Sequence, residues 1–114
     1  MALPEVAPLL AKDFIELKLD VERNPGAQKI LERYTTKSPG YPWIVFLDGE
    51  GKALADGYDA QGQNIGCPND DDEIAHFLSM LEKARVNLQP ADLETLRKSL
   101  VEARERRKQP QAAR

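Results

Sequence analysis

The chain has 114 residues, 41 % apolar and 31 % charged, with a formal net charge of −3. That length suits one domain around one core, and the acidic balance argues against a nucleic-acid surface. No apolar run approaches the ~20 residues that cross a bilayer, and the single cysteine, Cys67, rules out an intrachain disulfide.

The N-terminus lacks the basic stretch and long apolar stretch of a secretory signal. Cytoplasm is therefore the default compartment, and a leader ahead of Met1 would make it the periplasm.

Residues 4–12 are expected to form a short helix, with Pro4 at its first position and Val6, Leu9 and Leu10 on one face. Residues 14–20 alternate: Ile15, Leu17 and Leu19 face one way, Glu16, Lys18 and Asp20 the other, which predicts a half-buried strand. Asn24-Pro25 reads as an N-cap and first helical residue, opening a helix over 25–34 with Ile30, Leu31 and Tyr34 as its apolar stripe. The run 43–47 is uninterrupted by polar residues and predicts the most hydrophobic strand. Asp48-Gly49 signals a hairpin turn, and 52–58 is the return strand, with Asp56 and Gly57 pointing to fraying or a bulge near its end.

Residues 59–70 read as a loop. Asn69 or Asp70 then caps a helix reaching Arg85, whose acidic first turn and basic last turn complement the helix dipole. Ile74, Phe77, Leu78 and Leu81 form its buried face. Pro90 opens a last helix with Leu93, Leu96 and Leu100 at spacings of three and four. Its end at 102–108 carries no apolar stripe and is expected to fray into a disordered tail at 109–114.

This order, with a proline directly ahead of the second strand, resembles the thioredoxin fold. Phe14 to Val21 is similar to the family's strand ending in Asp-Val, and Asn24-Pro25-Gly26 to Tyr34 to the helix that follows it. Gly40-Tyr41-Pro42-Trp43 through Asp48, with Gly51-Lys52, is similar to the family's cis-proline loop, strand and hairpin, and Ile74 to Leu81 to its closing helix. The likeness covers residues 5–86 and is closest to bacterial thioredoxin-like domains whose cysteine motif precedes a helix like Glu5–Asp13.

The resemblance implies an α/β, thioredoxin-like domain over 1–88: a mixed three-stranded sheet, made of a parallel pair plus a hairpin, with packed helices. An extra C-terminal helix follows over 89–108. The family's Cys-x-x-Cys, which performs thiol–disulfide exchange, and the strand before it are not encoded here. That strand would lie between 14–20 and 43–47, leaving unpaired backbone groups on both facing edges. Three arrangements would resolve them: a longer chain that supplies the strand, a partner or second copy that supplies it, or direct pairing of 14–20 with 43–47.

The implied function is that of a relative of thiol–disulfide oxidoreductases, redox-inactive as it stands and needing no cofactor. It would become an active oxidoreductase if a longer chain supplied the Cys-x-x-Cys. The alternative is a non-catalytic module that docks a peptide, or a second copy as a homodimer, through its strand edges and the Tyr41–Pro42 loop. No nucleic-acid or membrane partner is expected.

The candidate residues each have a plainer reading. By resemblance Tyr41, Pro42 and Trp43 line a substrate groove, yet Pro42 also serves simply to shape the loop. Trp43 also serves as core, with its indole N–H finding a partner. Cys67, just ahead of a capped helix, is a candidate reactive thiol, but Asp70, Asp71 and Asp72 oppose a thiolate and favour an ordinary loop cysteine. His76, with only Asp72 at helical spacing, falls short of a zinc set and reads as a solvent-facing helix residue. Residues 69–73 lack the spacing of a calcium loop, and Arg104 to Lys108 read as a solvated helix end. No metal site and no catalytic triad follow from these residues.

Overall fold

The computed structural model describes residues 6–108. The expected helix start at Pro4 and the expected tail at 109–114 lie outside them. The elements, in order, are α1 (Ala7–Leu10), α2 (Ala27–Glu32), β1 (Val45–Leu47), β2 (Ala53–Asp56), α3 (Asp71–Ala84) and α4 (Pro90–Lys108).

Among the described residues the sheet has two strands, β1 and β2, paired antiparallel. This overturns the mixed three-stranded, thioredoxin-like sheet expected from the sequence. The predicted strand at 14–20 is neither helix nor strand and joins no ladder among the described residues. Ile15, Leu17 and Leu19 are 98, 77 and 42 % exposed instead of half-buried. The physical reason is the lack of a neighbour. Alternation specifies which face is apolar, but a strand exists only where another strand takes its N–H and C=O groups. Direct pairing of 14–20 with 43–47, the closure that would have supplied one, does not form. Phe14 alone reaches the hairpin, its ring 4.7 Å from that of Phe46.

Asp48 shapes the hairpin turn. Its carboxylate accepts from the N–H groups of Glu50 (2.8 Å) and Lys52 (2.9 Å), and these amides hold its pKa below the usual aspartate range. Gly51, at φ 86°, supplies the left-handed residue that the turn requires. The register steps from Phe46↔Ala55 to Leu47↔Ala53, so Leu54 is bulged out and 40 % exposed. The irregularity thus sits earlier than Gly57, where the composition pointed.

Helix α2 starts two residues later than Asn24-Pro25 suggested, with Gly26 at φ 85° as its N-cap. Asn24 serves the preceding turn instead: its side-chain oxygen accepts from Asp20 N–H at 2.7 Å, while Asp20 O accepts from Asn24 N–H at 2.7 Å.

Helix α3 begins where its capping signal lies. Asp70 accepts from Glu73 N–H at 2.8 Å, and Glu73 accepts in return from Asp70 N–H at 3.2 Å, a capping box. Its buried face, Ile74, Phe77, Met80, Leu81 and Ala84, covers the hairpin, with Phe77 edge-on to Phe46 at 6.0 Å. Helix α4 packs on α3 and adds Leu96, Leu100 and Ala103 to the core, which Val6, Ile65 and Leu88 complete.

Helix α4 does not fray at residue 102. Ala103 is 4 % exposed and extends the stripe of Leu96 and Leu100. Arg104 reaches back to the Asp71 carboxylate and Asn69 O, and Arg107 to the Asn69 side chain. The basic end is thereby tied to the N-terminus of α3.

A clasp closes the molecule across the long sequence separation. Asp13, at the end of the α1 turn, accepts from the N–H groups of Val86 (2.9 Å), Asn87 (2.7 Å) and Leu88 (2.9 Å) in the α3–α4 linker. Asn87 Nδ2 returns a bond to Lys12 O at 3.0 Å, and Lys12 Nζ lies 3.1 Å from Asp92. Partial burial would raise the Asp13 pKa, but the amides of Leu88, Asn87 and Val86 outweigh it and hold the carboxyl below its ordinary 3.8.

Candidate functional site

Two surfaces stand out, the loop that enters β1 and the exposed segment 14–20.

The loop is built from its turn upward. Gly40 takes φ 77°, and the Tyr41–Pro42 bond is cis. Beneath it, Asp59 accepts from Gln61 and Gln63 N–H, both at 2.9 Å, and folds residues 59–63 into a tight reversal. Ile65 N–H donates to Gly57 O at 2.9 Å, and Ile65 is buried. That reversal lifts Asn64 under the loop. Its Nδ2 lies 3.0 Å from Pro39 O, 3.3 Å from Gly40 O and 2.9 Å from Pro42 O, while its Oδ1 accepts from Gly66 N–H at 2.9 Å. Asn64 is therefore the residue that holds the loop. A single Asn inside a polar loop carries no spacing signal, so nothing in the sequence marks it.

Tyr41 stands 69 % exposed on this loop. Trp43 is half-buried with its ring 5.3 Å from Tyr58. Its Nε1 is buried without an acceptor among the described residues, contrary to the expectation that a core indole finds one. Tyr58 in turn bonds Thr35 Oγ1 at 2.6 Å, and Lys37 Nζ sits 4.6 Å above its ring and 3.3 Å from Gly62 O. Two open hollows flank the loop. One, of about 380 Å³, is lined by Thr35, Lys37, Asp56 and Tyr58, the other, of about 300 Å³, by Leu31, Pro39, Gly40 and Tyr41. Both are open to solvent, so the geometry suits a partner laid across the surface more than a small molecule taken into a pocket.

Cys67 is exposed, one residue beyond the Gly66 amide that Asn64 accepts from. Three residues span at most about 11 Å, so Cys67 lies near the cis-proline loop that Asn64 clamps. His76 does not face solvent as the sequence implied. Its Nε2 is 3.0 Å from Asp56 O, tying α3 to β2. Asp72 does not join it in a ligand set, and no group of three metal-ligating side chains occurs among the described residues.

The second surface follows from the hairpin's hydrogen bonds. Gly57 N–H donates to Ile44 O (2.8 Å) and Asp48 N–H to Lys52 O (2.9 Å). Even-numbered positions therefore face β2, while Val45 and Leu47 turn their backbone groups to the other edge, which nothing pairs among the described residues. In the segment 14–20, Ile15, Leu17, Lys18 and Leu19 make no backbone hydrogen bond among the described residues. The chain thus presents two unpaired lengths of backbone, one of them with an exposed apolar stripe. No helix among the described residues is long and apolar enough to cross a membrane.

The chain matches no family model, no curated protein and no solved structure.

Proposed function

We propose that this chain is a non-catalytic binding module that docks an extended partner strand. The observation that carries the reading is the segment 14–20, whose residues Ile15, Leu17 and Leu19 are exposed and whose backbone groups at Ile15, Leu17, Lys18 and Leu19 find no partner among the described residues. A strand laid along it would take those groups into a ladder and cover alternate side chains, the two sources of affinity and specificity in strand addition. The open edge of β1 and the exposed Tyr41 on its clamped loop offer further contact of the same kind. The partner is a protein or peptide in extended form.

Peptides selected from a display library test this, read by amide hydrogen exchange. A bound peptide is expected to slow exchange at Ile15–Leu19, or at Val45 and Leu47, and to leave α3 unchanged. Selection of no binder, or of binders that slow none of these amides, would overturn the reading.

A second reading, kinship with the thiol–disulfide oxidoreductases of the thioredoxin-like family, is supported by a local arrangement. A clamped loop at Tyr41–Pro42 enters a hairpin, and a capped helix packs across it. One cysteine cannot cycle between dithiol and intrachain disulfide, so under this reading the chain is redox-inactive. An insulin-reduction assay is expected to show no turnover, and turnover abolished by Cys67→Ser would refute that.

A further inference from the structure

We infer that the strand docked on segment 14–20 is the same segment of a second copy, paired antiparallel about Leu17. This rests on the strand-docking reading above and names its partner.

The argument is one of register. Antiparallel pairing centred on Leu17 sets Leu17 opposite its own mate once, and Ile15 opposite Leu19 and Glu16 opposite Lys18 twice each by symmetry. The apolar stripes of the two copies then lie side by side on one face. On the other face both charged pairs are of opposite sign, the arrangement that stabilises cross-strand neighbours. Within one chain Glu16 and Lys18 pair at 3.4 Å, with their side chains 51 and 80 % exposed.

The neighbouring registers fail on charge. To keep apolar face against apolar face, the centre must move by one residue. Centring on Glu16 sets Glu16 against itself. Centring on Lys18 sets Lys18 against itself and Glu16 against Asp20. Parallel in-register pairing opposes Glu16 to Glu16 and Lys18 to Lys18. Exposed ion pairs add little affinity, so these charges act by excluding the wrong alignments. The backbone ladder and the contact of Ile15, Leu17 and Leu19 with their mates supply the association. A two-stranded ribbon is marginal alone, which makes this a weak, concentration-dependent dimer.

Sedimentation across a wide concentration series, with circular dichroism as the check on fold, tests it. Wild type is expected to shift toward dimer as concentration rises. Glu16→Lys alone, or Lys18→Glu alone, sets like charges opposite in both pairs and is expected to weaken the dimer about tenfold. An equimolar mixture of the two single variants, or the double exchange in one chain, is expected to restore it. In a Cys67→Ser background, Leu17→Cys is expected to oxidise to a covalent dimer, because directly opposed Cα atoms fall within disulfide reach. Glu16→Cys should not, its mate being a diagonal neighbour about 7–8 Å away. A chain that stays monomeric throughout, single reversals that leave the dimer unchanged, or Glu16→Cys linking as readily as Leu17→Cys would each overturn the inference. If the chain is monomeric but a display-selected peptide still slows exchange at Ile15–Leu19, self-pairing alone falls. If no peptide does so, the docking reading falls with it.

Discussion

Segment 14–20 and helix α3 carry apolar patterns of equal regularity, and the molecule treats them in opposite ways. Ile15, Leu17 and Leu19 recur at every second position and stay exposed; Ile74, Phe77 and Leu81 recur at helical spacing and are at most 3 % exposed. A helix satisfies its backbone groups from within its own sequence, so its stripe needs only a surface to lie on. A strand leaves that satisfaction to a neighbour. The same hydrophobic regularity therefore yields a buried element in one case and an unpaired one in the other.

The comparison breaks most visibly in the core. Phe77→Ala should cost about 3–5 kcal/mol, because it opens a cavity between α3, the hairpin and α4. Urea unfolding measures it, and a loss under ~1 kcal/mol would mean that the helices do not share one core around Phe77.

The clasp gives the next largest effect. Asp13→Ala leaves the Val86, Asn87 and Leu88 amides without their acceptor, and about 2 kcal/mol should be lost near neutral pH. The sign with pH follows from the depressed carboxyl. Its contribution is fully present above the ordinary value of 3.8 and is lost as pH falls through the lower folded-state value. The stability gap between wild type and variant should therefore close below about pH 4. A gap that persists unchanged into acid would show that the carboxylate is not what holds the linker.

The smallest effect sharpens the contrast. Leu17→Ser removes an apolar residue that is 77 % exposed, so the dilute chain should change by less than ~0.5 kcal/mol in the same unfolding experiment. A large loss would mean that the segment is packed in solution, and the difference between it and α3 would disappear.

Local chemistry made several features readable in advance. The cap at Asn69 or Asp70, the hairpin turn at Asp48 and the spacing of Ile74, Phe77 and Leu81 on α3 all depend on residues within a few positions of one another. Features joined by long separations were not readable. The Asp13 clasp links residues 73 to 75 positions apart, and an aspartate after a short helix gives no sign of it. Asn64 reaches back 22 to 25 positions to hold the loop. His76 was read as solvent-facing because its partner is a backbone carbonyl, which every residue possesses. The end of α4 was read as frayed because Ala103 scores poorly as an apolar marker, although its burial beside α3 continues the stripe. Of the candidate site, Tyr41 and Pro42 were legible as the loop entering the strand, while the residue that clamps them was not.

Sequence alone was enough for what a segment can settle internally: the cap and face of α3, the reversal at Asp48, and the alternation of 14–20. Tertiary structure decided whether that alternation became a sheet, and it did not, because among the described residues no adjacent strand takes up the backbone groups. Periodicity records which side chains share a face. Pairing depends on what lies beside them in space, and for residues 14–20 the described chain leaves that place open to a partner.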